Sequence, residues 1–291
     1  MATLDSSKLG VRWTIGDVSE QGFEALRLSV WGAWQVFGPQ ARYAICVNAI
    51  SLADAIQRTG TLPVQVAWIK ADDLLPRWLA PHLDRGMAEG VGWKFAPVRL
   101  FPDRYELALD NDCILWKAPG ALQAALSSAQ PRCVIAADMR ACYGEFADLC
   151  GPEPRNSGIR GTPGGLDFER ALRDLLQAKG CVLRSETDEQ GLQVAALNLF
   201  GTDVVTTDEV SICSPFPPHT RALGTCGAHF VGLNARDLGW KYYDRPASEV
   251  RREHWNEARP LLYERVAVAK SPTDTGRRRR TEQTRHRWIA C

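Results

Sequence analysis

The 291-residue chain has no run of eighteen apolar residues, so no stretch of it reads as a membrane-spanning helix. Its opening, Met1-Ala2-Thr3-Leu4-Asp5-Ser6, lacks the basic and apolar segments of a secretory signal, and the cytoplasm is the expected compartment. There is no C-x-x-C pair. The nine cysteines (Cys46, Cys113, Cys133, Cys142, Cys150, Cys181, Cys213, Cys226 and Cys291) are odd in number and scattered, several inside apolar runs. They read as reduced core thiols and not as a disulfide frame or a zinc site. Also missing are G-x-x-x-x-G-K-S/T, G-x-S-x-G and H-E-x-x-H, which leaves the common nucleotide-hydrolase, serine-hydrolase and zinc-protease readings without support. No internal repeat is present.

What is present is a balance suited to a folded domain: 45% hydrophobic residues and 24% charged, with a formal net charge of +1. That near-neutral total hides an asymmetry. Residues 270–291 hold seven Lys/Arg against Asp274 and Glu282, a tail of +5 attached to a body of −4. An acidic body argues against a nucleic-acid partner. The tail reads as a solvated, disordered end, with peripheral contact to anionic lipid as its other reading. The division expected is a single domain over residues 1–265 and a basic tail over 266–291.

Apolar runs with a β-branched bias alternate with amphipathic stretches. Tyr43–Val47, Val64–Ile69, Tyr105–Leu109 and Cys133–Ala137 are strand candidates. Phe23, Leu26, Val30, Trp34 and Phe37 mark a helix ending near Gly38-Pro39, Ser51–Arg58 marks another, and a third lies around Gly120–Leu126. The alternation predicts a mainly parallel sheet flanked by helices. Further on, Asp167 caps a helix striped by Phe168, Ala171, Leu172, Leu175 and Leu176 and ended by Gly180. A helix follows from Asp188-Glu189-Gln190, then short strands at Val204-Val205 and Val210–Cys213. The last helix runs over Ser248–Glu264 with Pro260 as an interruption.

In open α/β sheets ligands collect beyond the carboxyl ends of strands, where Asn48, Asp110, Asp112 and Asp138 fall on this reading. The most telling segment is Asp110-Asn111-Asp112. Two carboxylates one residue apart can be aimed at one hard cation, whose open positions a diphosphate can fill. Asp and Asn also populate ordinary turns, so the triplet alone does not decide. Carboxylates at a helix start, as in Asp188-Glu189, are by default capping residues.

Four segments in order, Leu109-Asp110-Asn111-Asp112, Asn156-Ser157-Gly158, Asp188-Glu189-Gln190-Gly191-Leu192 and His229-Phe230-Val231-Gly232, resemble the metal-dependent glycosyltransferases of the GT-A fold. The likeness is to the glycogenin and bacterial lipopolysaccharide galactosyltransferase type, over roughly residues 40 to 240. The resemblance implies that Asp110, Asp112 and His229 hold Mn²⁺ (or Mg²⁺) with the donor diphosphate. It implies that Asn156, Ser157 and Gly158 line the donor sugar, and that Gln190 with Asp188 or Glu189 stands near the transferred sugar. Gly232 matches a glycine of the family, Arg236 or Lys241 would supply the positive charge at the diphosphate, and Asn48 would face the nucleotide base. The implied opening strand is Tyr43–Val47, preceded by an N-terminal helical extension.

The implied activity is a hexosyltransferase-like transfer of a sugar from a nucleotide-diphosphate donor, UDP-linked, to an acceptor hydroxyl of unidentified chemistry, with retention. Its alternatives are a catalytically inactive binder of nucleotide-sugars and a metal-dependent nucleotidyltransferase. The latter lacks its Gly-rich, basic opening loop here.

Overall fold

The computed structural model describes residues 6–84 and 92–266; the basic tail lies outside them from residue 267. In chain order the elements are β1 (Leu9–Ile15), α1 (Glu20–Phe37), β2 (Arg42–Val47), α2 (Leu52–Thr59), β3 (Ala67–Lys70), β4 (Tyr105–Leu109), β5 (Cys113–Leu115) and α3 (Gly120–Ser127). Then come β6 (Cys133–Ala137), α4 (Ala147–Cys150), β7 (Arg155–Thr162), α5 (Phe168–Lys179), α6 (Glu186–Asn198), β8 (Thr202–Val205), β9 (Val210–Cys213) and β10 (Gly227–Phe230). β11 (Lys241–Tyr242), β12 (Arg245–Pro246) and α7 (Ala247–Arg265) complete the fold.

Seven strands form the main sheet in the order β3-β2-β1-β4-β7-β6-β8. β7 runs antiparallel to both neighbours and every other pairing is parallel, so the sheet is mainly parallel as expected. A smaller sheet, β5-β10-β9, and the β11–β12 hairpin lie outside it.

The opening strand is not Tyr43–Val47 but β1, which pairs with both β2 and β4 near the middle of the sheet. The helix expected as an extension is α1, the crossover that parallel β1 and β2 require. Leu9–Ile15 escapes an apolar-run search because Arg12 interrupts it. Alternation explains the placement: Leu9, Val11, Trp13 and Ile15 enter the core beneath α1, with Phe23, Leu26 and Val30, while Gly10, Arg12 and Thr14 face the other way. Along β4, Tyr105, Leu107 and Leu109 likewise join that core, leaving Glu106 and Ala108 on the opposite face. A second core, with Ile135, Leu172, Leu176 and Leu192, holds α5 and α6.

Two smaller expectations are also corrected. The third strand begins at Ala67, not Val64, at the edge of the sheet. α7 runs through Pro260 without a break. Pro260 lies on the exposed side, where water can meet the carbonyl it leaves unbonded, while Trp255, Ala258 and Leu262 anchor the buried side. The eight described cysteines are all free thiols, and no helix of the described residues is long and apolar enough to cross a membrane.

Candidate active site and metal centre

β4 ends at Leu109, and the backbone turns at once: Asp110 N–H donates to Gly158 O (2.9 Å) and Cys113 N–H to Asp110 O (3.0 Å). Between them Asn111 is a fastener. Its amide trades hydrogen bonds with Asn234 (2.6 and 2.9 Å) and donates to Gly22 O (3.1 Å), tying the turn to the start of α1 and to the loop after β10. With the middle residue held, the flanking carboxylates are directed together. Asp112 is bound from the other side, its carbonyl accepting from Phe230 N–H (3.0 Å).

β10 lies antiparallel to β5 with His229 opposite Cys113, one residue beyond Asp112. That register delivers His229 Nε2 to 3.3 Å from Asp112 Oδ1 and 3.6 Å from Asp110 Oδ2. One donor atom from each of the three side chains falls within 4.8 Å of the others. Gly158 makes room for this, since a Cβ there would stand 2.7 Å from His229 Nδ1 and closer still to Cε1. The glycine of Asn-Ser-Gly is thus required by the imidazole packed on it.

The electrostatics of the cluster are those of a charged group held out of water. Burial works to raise the Asp110 carboxyl, but Lys94 and then His229 outweigh it and hold it below the ordinary range. For His229 burial works downward, and the bond to Asp112 with the charges of Asp112 and Asp110 wins, so the imidazole is raised.

The residues enclose a cleft of about 320 Å³, within the range of small-molecule sites. Asn48, Asp110, Asp112, Asn156, Ser157, Glu189, Gln190, His229 and Gly232 all line it. Asn48 follows β2, buried, its Oδ1 without a partner, close against Gly16. Asn156 and Gln190 are largely committed to the protein. Asn156 donates to Asp138 (2.8 Å) and accepts from Gly158 N–H (2.7 Å), while Gln190 accepts from Ser157 N–H (3.2 Å) and donates to Cys142 O (3.0 Å). They shape the wall that carries Asn-Ser-Gly.

The pair of acids left open by the sequence separates cleanly. Asp188 is outside the cleft and completes a capping box with Ser185. Its carboxylate accepts from Arg184 N–H (2.8 Å), Ser185 N–H (3.0 Å) and Glu145 N–H (3.0 Å). Glu189, one residue on, is 1% exposed and lines the cleft. One of its oxygens has no partner and the other lies 3.6 Å from Lys94 Nζ. Burial, more than any charge, pushes its carboxyl up to about 7.

The two basic candidates are not lining residues. Arg236 is exposed and ion-paired with Asp17, a residue at the cleft's rim, and Lys241 sits exposed on the β11–β12 hairpin. Sequence reasoning missed the cations that do line the cleft: Lys94, 2.9 Å from Asp110, together with Arg12 and Arg160. It also missed Gly16, Asp17 and Val18, which line the cleft at the end of β1. Arg12 is visible in retrospect as an arginine inside an apolar strand. It pairs with Glu106 at 3.1 Å, both 2% exposed, and donates to the carbonyls of Lys94, Pro97 and Val98. Glu106 accepts from Leu100 and Phe101 N–H, both at 2.6 Å. The buried pair therefore holds the segment that carries Lys94.

No family model matches the chain, and no curated protein matches it in sequence. Among solved structures, the galactosyltransferase LgtC in complex with donor and acceptor sugar analogs is similar at 14% identity, with 92% of this chain and 99% of that one covered and a TM-score of 0.47. Mouse xyloside xylosyltransferase 1 is similar at 12% identity over 78% of this chain and 98% of that one, with a TM-score of 0.48. The bifunctional glycosyltransferase WbbM, in its apo form, is similar at 14% identity with a TM-score of 0.54, covering 90% of this chain and 52% of that one. The chain thus spans about half the length of WbbM. The likeness to WbbM is one of fold: the chain has the GT-A-like α/β fold expected from its sequence, built on a mainly parallel seven-stranded sheet.

Proposed function

We propose that the chain is a glycosyltransferase that moves a sugar from a nucleotide-diphosphate donor, UDP-linked, to an acceptor hydroxyl, using Mn²⁺ or Mg²⁺. The observation that carries this reading is the convergence of Asp110 and Asp112, from the turn after β4, and His229, from β10, into one cluster within the cleft. Two carboxylate oxygens and an imidazole nitrogen, with no thiol among them, suit a hard divalent cation with some tolerance for nitrogen, as Mn²⁺ has. The residues fit the group, and when bound it would neutralise charge on a departing nucleoside diphosphate.

The chain's own residues supply the rest. Lys94 adds a positive charge beside Asp110, the place the sequence had given to Arg236 or Lys241. Asn48 with the Gly16-Asp17-Val18 segment forms the part of the cleft assigned to the base. Glu189 takes the acid's role, stabilising positive charge that develops at the anomeric carbon; its burial and its unpartnered oxygen support that choice over Asp188. Asn156 and Gln190 hold the sugar-facing wall. Transfer with retention is what the resemblance to the GT-A glycosyltransferases implies.

The test is calorimetric titration of UDP with and without Mn²⁺, in wild type and Asp110→Ala, alongside detection of UDP released from UDP-sugars. Asp110 is half-buried and faces the cleft, so the variant should keep its fold and lose the Mn²⁺-dependent part of UDP binding. Equal affinity in both proteins would remove the reading.

A further inference from the structure

The face of the sheet beneath the cleft continues inward past the metal cluster. β4 and β7 pair Ala108 with Arg160, β1 pairs Arg12 with Ala108, and Asp110 continues the β4–β7 register by donating to Gly158 O. One step in from the Asp110–Gly158 row is therefore the row Arg12–Ala108–Arg160, whose side chains share the cleft face. The step is two residues, roughly 7 Å along the strand. Ala108, the residue between the two arginines, offers only a methyl group, which leaves that space open to a ligand.

The cations along this floor differ in one respect. Arg12 has Glu106 and three carbonyls; Lys94 has Asp110 and Glu189. Arg160 is 4% exposed and lines the cleft, yet it has no hydrogen bond and no ion pair among the described residues, only the ring of Phe168 at 5.4 Å. Burial holds it down to about 10, still protonated at neutral pH. A buried guanidinium without a carboxylate is costly, and the usual resolution is an anion with two parallel acceptors.

We propose that the donor sugar is acidic, a hexuronate whose carboxylate is received by Arg160 at the inner end of the cleft. This rests on the donor-site reading above, in which the diphosphate lies at the Asp110–Asp112–His229 cluster and the sugar extends over Ala108. A neutral sugar's hydroxyl could accept one hydrogen bond from Arg160 but would leave its charge unanswered.

The experiment is calorimetric titration with Mn²⁺ of UDP, of UDP-glucuronate against UDP-glucose, and of UDP-galacturonate against UDP-galactose. It is run on wild type, Arg160→Met and Arg160→Lys, each checked for an unchanged circular-dichroism spectrum and cooperative melting. In wild type the acidic donor of at least one pair should bind about 10- to 100-fold tighter than its neutral partner. Arg160→Met should bring the acidic donor down to the neutral one's affinity, and Arg160→Lys should restore part of the preference. If UDP binds but neither pair shows a preference, or if Arg160→Met keeps the preference, Arg160 is only a packing partner of Phe168; the acidic-sugar proposal then falls while the donor site stands. Failure of UDP itself to bind with Mn²⁺ would take down both.

Discussion

Replacing Glu189 with glutamine should make the metal-free protein more stable at alkaline pH while removing sugar transfer. The Glu189 carboxyl, 1% exposed, holds its proton in the folded state to about pH 7, whereas in the unfolded chain it lets go near 4.5. Between those values the folded state binds more protons than the unfolded one, so stability falls as pH rises through the window. Above it both states are ionised and the folded state carries the full cost of a buried charge. At about 1.4 kcal/mol per pH unit that cost is about 3 kcal/mol. Glutamine keeps the shape and cannot ionise, and Lys94 retains Asp110 at 2.9 Å. Thermal melts of both proteins in EDTA from pH 4.5 to 8.5 should therefore coincide at the acid end and diverge upward, with the variant about 6–12 °C higher at pH 8. A difference that does not change with pH, or a variant less stable at pH 8, would refute the reasoning. A gain in stability coupled to loss of turnover is what an acid kept in place for chemistry should give.

Gly158→Ala should displace His229, because the added Cβ would collide with the imidazole; Mn²⁺ titration followed by electron paramagnetic resonance should show at least about tenfold weaker binding with the far-ultraviolet spectrum unchanged. Mn²⁺ affinity of the wild type should fall as pH is lowered from 8 to 5, with the fall starting above the ordinary histidine range because His229 is raised and its protonated form cannot ligate; a flat titration would count against it as a ligand. Glu106→Ala should cost about 3–5 kcal/mol in urea unfolding by stranding Arg12 in the core, and the double variant Arg12→Met, Glu106→Leu should recover much of that stability without restoring the position of Lys94.

The parts legible in the sequence are those that local pattern determines. Asp110-Asn111-Asp112 stands out because three small polar residues end an apolar strand, and α5 is marked by its Asp167 cap, its stripe and Gly180. β1 is hidden in the sequence because its central position on the cleft face is an arginine, made tolerable by Glu106, from a strand more than ninety residues away, and by three backbone carbonyls. Lys94 sits in one short 3-10 turn, Gly92–Phe95, tied down by that same pair, so nothing in its immediate sequence distinguishes it from a surface lysine. The difference between Asp188 and Glu189 turns on which face of α6 meets the cleft: the capping box at Ser185 takes Asp188's oxygens, and Glu189 lines the cleft.

These cases share one physical pattern. A charged residue within a strand is read from sequence as evidence against burial, since a lone buried charge is costly. Here the sheet buries Arg12 and Arg160 on either side of Ala108, and the two differ in how that cost is offset. Arg12 is answered from within by Glu106 and three carbonyls, which makes it part of the scaffold. Arg160 has no hydrogen bond or ion pair to any described residue and lines the inner end of the cleft, which makes it a receptor. A buried cation with an internal partner shapes a site, and one without shows where a ligand's charge belongs. The position of Arg160, one row of the sheet inward from the Asp110–Gly158 row, is what ties that missing charge to the sugar and not to the diphosphate.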